Sequence, residues 1–304
     1  MAEFSPMMQH YLATKKQYND CILFYRLGDF YEMFFDDAIT VSKELELTLT
    51  GKDCGQEERA PMCGVPFHAA ETYINRLVSN GHKVAICEQM EDPKLAKGIV
   101  KREVIKVVTP GTNLNAQALD ETKNNYLFCI YYQGDVIGVS ICDFSTGDYF
   151  VTELKSENEL IDEINKFIPS EIIVNEYFAM SGIDLTAVNE KLNISMSTLE
   201  NWYFDEDSSI KKLLSHFKIS ALDGLGVKDY PTGIIAAGAL LTYLYETQKS
   251  DMSHIITLTP YTTGKYMLID SSSRRNLELV ETLREKQKRG SLIWVLDKIG
   301  RAHV

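Results

Sequence analysis

Long apolar runs, paired cysteines and a basic leader are all missing from this sequence of 304 residues. No apolar stretch approaches the ~20 residues that a membrane-spanning helix needs. The opening segment Met1–Pro6 carries an acid and no basic residue, which argues against a secretory signal peptide. The six cysteines are scattered without a C-x-x-C pair, so neither a zinc site nor a disulfide framework is indicated. We therefore expect a cytoplasmic protein with reduced thiols.

The net charge of −12 excludes a protein that coats DNA with its whole surface, because phosphates repel acidic side chains. The acid excess is uneven along the chain. Residues 1–115 carry −3, residues 116–248 carry −13 and residues 249–304 carry +4, which together give −12. The middle segment is thus expected to avoid phosphates, whereas the flanking segments can present local basic surfaces.

Helical and strand patterns intermix along the chain, which is typical of an α/β protein. They predict a small mixed α/β domain over residues 1–115, followed by a polar linker at 116–125. Three closely spaced strands and then alternating helices and strands predict a second mixed α/β domain over residues 126–248. A third segment, 249–304, is predicted to turn helical from Asn276 onwards.

The residues around Gly28 carry the main functional prediction. Gly28-Asp29 ends a short apolar strand, and the spacing that follows predicts a helix from about Tyr31 to Leu45. Glycine permits a tight corner, which would project Phe30 and Glu32 outward at the helix start. Taken alone, these residues favour a simpler interpretation, with Phe30 in the core and Glu32 as an acid stabilised by the helix N-terminus.

A resemblance changes that balance. Residues 24–38, FYRLGDFYEMFFDDA, resemble the signature of the MutS family of DNA mismatch repair proteins, whose Gly-x-Phe-Tyr-Glu segment enters the DNA minor groove. The resemblance implies a mismatch-recognition domain, a ribonuclease H-like connector domain and the start of a helical core domain. It also implies that Phe30 stacks on a mispaired base and that Glu32 forms a hydrogen bond to it. Other segments stand in the family's order: SPMMQHYL, APMCGVPFHAAETYI, VAICEQMEDP, VVTPGT and MLIDSSSRRNLEL.

Physical chemistry makes these two residue types sensible for that task. An apolar wedge at a base step must unstack the bases, and stacking on an aromatic ring returns ~1–3 kcal/mol per base with little regard to sequence. A mispaired base is already poorly stacked, so opening it costs less. A glutamate near phosphates weakens binding to the matched duplex. At a mismatch, a hydrogen bond from a base N–H compensates this repulsion, so the glutamate improves discrimination.

Basic residues near this segment are candidates for positioning contacts with phosphates, although each is equally typical of a solvated surface. Gly28 would support the turn that presents Phe30. Trp202 and Trp294 are predicted to fill cores. The predicted phosphate contacts are Lys52, Arg59, Arg76, Lys101 and Arg102.

Two other functional classes remain open. A ribonuclease H-like nuclease needs about four converging carboxylates for two metal ions. The second domain offers Asp143 and Asp148, but its first strand, YLFCIYY, carries no acid. We therefore expect the fold without the active site, and predict no catalytic or metal-ligating residue. The remaining alternative is a protein-interaction fragment that does not bind DNA.

The phosphate-binding pattern G-x-x-x-x-G-K-[ST] is missing from the sequence, so no ATPase activity or cofactor is expected of this chain. The resemblance implies that ATP and magnesium act in the full-length family, which forms a homodimer. It also implies a MutL-type repair partner for the connector domain. Residues 299–304, IGRAHV, depart from the family pattern and are expected to be an artefactual tail.

Overall fold

The computed structural model describes residues 3–91, 100–113, 124–265 and 269–297. Two six-stranded mixed sheets with flanking helices lie within these ranges, which confirms the predicted α/β class. Most of the predicted linker 116–125 and all of the predicted tail 299–304 lie outside the described residues. Of the described helices, none has both the length and the apolar composition to cross a membrane.

The first sheet has the strand order β3-β4-β2-β1-β5-β6, in which only the β1–β5 pair is parallel. Helix α1 packs on one face of the sheet, and α2 and α3 pack on the other, each face with its own apolar cluster. The elements are α1 (Pro6–Gln17), β1 (Cys21–Leu27), β2 (Phe30–Phe34), α2 (Phe35–Leu45), β3 (Thr50–Lys52), β4 (Ala60–Pro66), α3 (Ala70–Ser79), β5 (Lys83–Gln89) and β6 (Arg102–Val108).

The helix predicted from Tyr31 begins later than expected. Residues Phe30–Phe34 form strand β2, and the helix occupies Phe35–Leu45. Strand β2 lies between β1 and β4 and pairs with both, so its backbone hydrogen bonds are satisfied on two sides. This tertiary pairing outweighs the helical spacing of the apolar side chains, which local sequence alone cannot reveal.

The second sheet has the order β11-β10-β7-β8-β9-β12. Strands β7, β8 and β9 form the predicted antiparallel meander, and β10 and β11 add in parallel beside β7. This arrangement agrees with the predicted ribonuclease H-like fold. Its elements are β7 (Tyr126–Tyr132), β8 (Ile137–Asp143), β9 (Asp148–Leu154), α4 (Glu157–Phe167), β10 (Glu171–Val174), α5 (Glu176–Met180), α6 (Thr186–Leu192), β11 (Ser195–Thr198), α7 (Glu206–Phe217), α8 (Pro231–Gln248) and β12 (Thr259–Pro260).

The second domain continues beyond residue 248, where the sequence placed its end. Met252, Ile255 and Leu258 are buried in the same apolar cluster as α8, and β12 pairs with β9. Helix α8 is buried on most of its surface, as expected for a helix that is apolar all round.

The segment from Asn276 onwards, which the sequence predicts to be helical, is helical only in part. The described part of this segment has only two short helices, α9 (Ser271–Asn276) and α10 (Leu292–Leu296), with turns and bends between them. Leu277 and Leu283 are exposed, so their burial does not stabilise a helix there. Helices in proteins depend mainly on such packing, which explains the short elements.

Specific hydrogen bonds join the first domain to the connector. The Gln248 side chain donates to the Val107 carbonyl at 3.2 Å. The fully buried Glu171 accepts from the Gly111 N–H at 3.0 Å and from the Tyr243 hydroxyl at 2.6 Å. Burial, reinforced by the Glu171 charge, raises the pKa of Tyr243 well above its usual value, so this hydroxyl remains a donor.

Candidate nucleic-acid interface

Phe30 lies at the tip of the β1–β2 hairpin. Leu27 pairs with Phe30 across the hairpin, and Gly28 turns the chain with a φ of +60°. The Phe30 side chain is 47% exposed. Among the described residues, the two apolar clusters of this domain do not include it. A core role for Phe30 disagrees with this exposure, and the outward projection comes from a hairpin rather than from a helix start.

Arg26 braces the turn that presents Phe30. Its Nε donates to the Gly28 carbonyl at 2.6 Å. Its guanidinium lies 3.8 Å from the centroid of the half-exposed Phe67 ring, within the range of a cation–π contact. The backbone N–H of Phe67 in turn donates to the Asp29 carbonyl at 2.9 Å. Sequence reasoning assigned no role to Arg26 or Phe67, although both lie within segments that resemble the family, FYRLGDFYEMFFDDA and APMCGVPFHAAETYI.

A second set of contacts anchors the hairpin from its buried side. The Tyr31 hydroxyl donates to Glu88, whose carboxylate also pairs with Arg26 at 3.4 Å. Burial raises the pKa of Tyr31 above its usual value, and the hydrogen bond to Glu88 adds to this effect. The hydroxyl therefore stays protonated, and this donor ties β2 to β5.

Glu32 follows Phe30 by two residues, so both side chains lie on the same face of β2. Opposite Glu32 in β4 is Gly64, where an added Cβ would lie 3.5 Å from the Glu32 Cγ. The Glu32 carboxylate forms an ion pair with Lys52, which extends from the edge strand β3. The side chains of Glu32 and Lys52 are 17% and 32% exposed.

The other predicted phosphate contacts are scattered. Lys101 is exposed at the same end of the sheet as Phe30 and pairs with Glu103 at 2.7 Å. Arg59 precedes β4, at the opposite end of that strand from the Pro66–Phe30 pair. Arg76 is exposed in the last turn of α3, which leads to the far end of β5. Of the exposed or half-exposed candidates, Lys101 lies at the hairpin end, and the side chain of Lys52 reaches Glu32 from a strand position opposite Ala60.

Arg102 requires a correction. Its side chain is buried, with 8% exposure. The Nε donates to the Arg26 carbonyl at 2.9 Å, and Nη1 donates to the Val100 carbonyl at 2.8 Å. A guanidinium held by backbone carbonyls braces the strands and is poorly placed for the predicted phosphate contact.

Trp202 also departs from expectation, since it is half exposed and stacks on Tyr203.

The connector acids Asp143 and Asp148 are register partners on β8 and β9, but they are only two carboxylates and their surroundings differ. Asp143 is buried and accepts from the Ser145 N–H at 2.8 Å, the Ser145 hydroxyl at 2.6 Å and the Asn125 N–H at 3.2 Å. Asp148 is exposed on the neighbouring strand. Within the described ranges, no group of three or more His, Cys, Asp or Glu side chains could hold a metal ion. Asp143 therefore acts as an anchor for the β8–β9 turn.

Two family models match this pair of domains. MutS domain I matches residues 5–117, and MutS domain II matches residues 125–256. The first sheet with its exposed hairpin is thus a MutS domain I, and the second sheet is a MutS domain II. Because the two models together cover most of the chain, the chain belongs to the MutS family.

Named relatives agree with this assignment. The chain is 64% identical over 298 residues to the DNA mismatch repair protein MutS of Lachnoclostridium phytofermentans, which covers 98% of this chain and 32% of that protein. It is 54% identical to the protein of the same name from Ruminiclostridium cellulolyticum, over 98% of this chain and 34% of the relative. The chain therefore spans about a third of the length of these relatives.

Proposed function

We propose that this chain binds mismatched double-stranded DNA as part of mismatch repair. Phe30 is the aromatic wedge that stacks on the mispaired base from the minor groove, and Glu32 forms a hydrogen bond to that base. The observation that carries the proposal is the exposed Phe30 at a hairpin tip, in a domain that matches MutS domain I. A single exposed apolar side chain is common on protein surfaces, so the support comes from its combination with a braced hairpin tip and with the match to MutS domain I.

Rigidity of the hairpin supports this role. A wedge must be held in place before it meets DNA, because ordering it on contact would reduce the binding free energy. Arg26 and the Phe67 backbone both bond to the turn residues that precede Phe30. Lys101, at the hairpin end of the sheet, and Lys52, beside Glu32, are the cations that we propose for phosphate contacts.

The decisive test is binding of this chain to matched duplexes and to otherwise identical duplexes with one G·T mismatch, across a salt series. We expect tighter binding to the mismatch in the parent and loss of that preference in Phe30→Ala. Ile39→Ala is the matched control, because Ile39 is an apolar side chain of α2 with similar exposure, 48%. Equal binding of the parent to both duplexes contradicts the proposal.

Family membership suggests further properties for the longer protein. We propose a MutL-type repair partner for the acidic connector domain, together with a homodimer, ATP and magnesium acting through parts of the relatives that this chain does not match. The cytoplasm is the proposed location. Titration of a MutL-type protein with this chain tests the partner directly, and a signal that disappears at low salt contradicts a contact through the acidic connector surface.

A further inference from the structure

Glu32 and Lys52 reach each other across a strand. Glu32 lies on β2 and Lys52 on β3, and β4 separates these two strands. Gly64 of β4 stands opposite Glu32, whereas Lys52 stands opposite Ala60 of the same strand, so the lysine side chain extends along β4 to reach the carboxylate. The ammonium also lies 5.6 Å from the centroid of the Phe34 ring. The lysine is therefore seated on the same face of the sheet as Phe30 and Glu32.

When a duplex approaches, a DNA phosphate and the Glu32 carboxylate compete for the Lys52 ammonium. A DNA phosphate attracts the ammonium, but a lysine that moves to the phosphate leaves the Glu32 carboxylate without its counter-charge. That carboxylate is largely shielded from water, so an uncompensated charge there is unfavourable. In a matched duplex the base N–H groups are paired, apart from the second guanine N2–H in the minor groove, whereas an unstacked mispaired base frees further N–H groups for the carboxylate.

We propose that Lys52 is a specificity-determining residue whose phosphate contact becomes available only when Glu32 binds a mispaired base. On matched duplex Lys52 remains paired with Glu32. At a mismatch the base donor replaces Lys52 at the carboxylate, and the released ammonium neutralises one phosphate. This inference rests on the proposed function and adds a conditional step to it.

The step predicts a difference in salt dependence. Each neutralised phosphate releases condensed counterions and makes the slope of log K against log salt steeper by about 0.9. The parent chain should therefore show a slope about 0.9 steeper on the G·T duplex than on the matched duplex. A lysine with a purely structural role would leave the two slopes equal.

Variants of Glu32 should change the slope on the matched duplex, and variants of Lys52 should change the slope on the mismatched duplex. Glu32→Gln frees Lys52 on every duplex, so matched binding tightens and its slope rises to that of the mismatch. Lys52→Met removes the extra contact, so the mismatch slope falls to that of matched DNA. Lys52→Arg keeps the charge and should keep the difference. The control is Lys16→Met, an exposed cation on α1, near the opposite end of β1.

The outcomes separate this inference from the proposed function. If the parent prefers the mismatch and Phe30→Ala abolishes the preference, but the two parent slopes are equal, only the role of Lys52 is overturned. A slope difference that survives in Lys52→Met overturns it as well. A parent without any mismatch preference overturns the proposed function and this inference together. Melting temperatures close to that of the parent show that the variants are folded.

Discussion

Replacing Phe30 by alanine separates a wedge from a core residue. Full burial of a phenylalanine side chain is worth ~1.5–3 kcal/mol. Phe30 is 47% exposed and lies at a solvent-facing tip, so its removal opens no enclosed cavity. We therefore expect Phe30→Ala to lower the free energy of unfolding by only about 1 kcal/mol. Phe24 is fully buried in the same domain, and Phe24→Ala should cost ~3–5 kcal/mol.

For Phe30→Ala, the effect on binding to mismatched DNA should be larger than the effect on stability. Loss of base stacking at a mismatch corresponds to ~1–3 kcal/mol, or roughly a 5- to 150-fold weaker affinity. Matched duplex should lose little, because the ring is not inserted there. Urea unfolding and fluorescence anisotropy with both duplexes, measured on the parent, Phe30→Ala and Phe24→Ala, give the two quantities side by side.

One result would refute this reasoning. If Phe30→Ala is destabilised as strongly as Phe24→Ala, and its folded fraction still discriminates as the parent does, then Phe30 belongs to the core. The proposed function would lose the residue at its centre, and the exposed hairpin tip would need another explanation.

Four further outcomes are expected. Gly28→Ala should lower the free energy of unfolding by about 1 kcal/mol in urea, because a φ of +60° disfavours a Cβ even in open space; an unchanged midpoint would mean that the turn relaxes. Asp143→Asn should have a lower melting temperature than the parent, because it weakens a buried hydrogen-bond acceptor. The parent should not cleave an RNA–DNA hybrid with Mg²⁺. Cleavage by the parent that Asp143→Asn loses would support the nuclease alternative. Burial raises the pKa of the Cys63 thiol to about 11, so at pH 8 only about a thousandth is thiolate and native protein should react slowly with a thiol reagent; rapid labelling would argue against this burial. Calorimetry should detect no saturable ATP binding by this chain, because its sequence lacks the phosphate-binding loop; a saturable isotherm would contradict that.

Local sequence determined most of the elements. Ser5-Pro6 marks the start of α1, and the S-E-N-E segment at Ser156 marks the start of α4, where the Ser156 hydroxyl accepts from the Glu159 N–H at 3.3 Å. Such signals are readable because caps and turns depend on neighbouring residues. The turn at Gly28 belongs to the same class of local information, whereas the outward direction of Phe30 does not, because these residues taken alone favour a core position for Phe30.

Tertiary contacts decided what followed Gly28. The apolar spacing predicts a helix from about Tyr31 to Leu45, yet Phe30–Phe34 is a strand because β1 and β4 pair with it from both sides. Burial of Arg102 likewise depends on the Arg26 carbonyl, 76 positions away in the chain. Neither outcome can be predicted from a window of neighbouring residues, since the partners come from distant parts of the sequence.

The sequence by itself therefore determined the α/β class and the family resemblance, and through that resemblance it proposed Phe30 and Glu32 as site residues. Only the tertiary structure decided which cations accompany them. It placed Lys52 against Glu32 across 20 positions of sequence, while it left Arg59 and Arg76 remote from the hairpin. The physical reason is that charge pairing depends on distances between strands, which follow from sheet order and register and not from residue type.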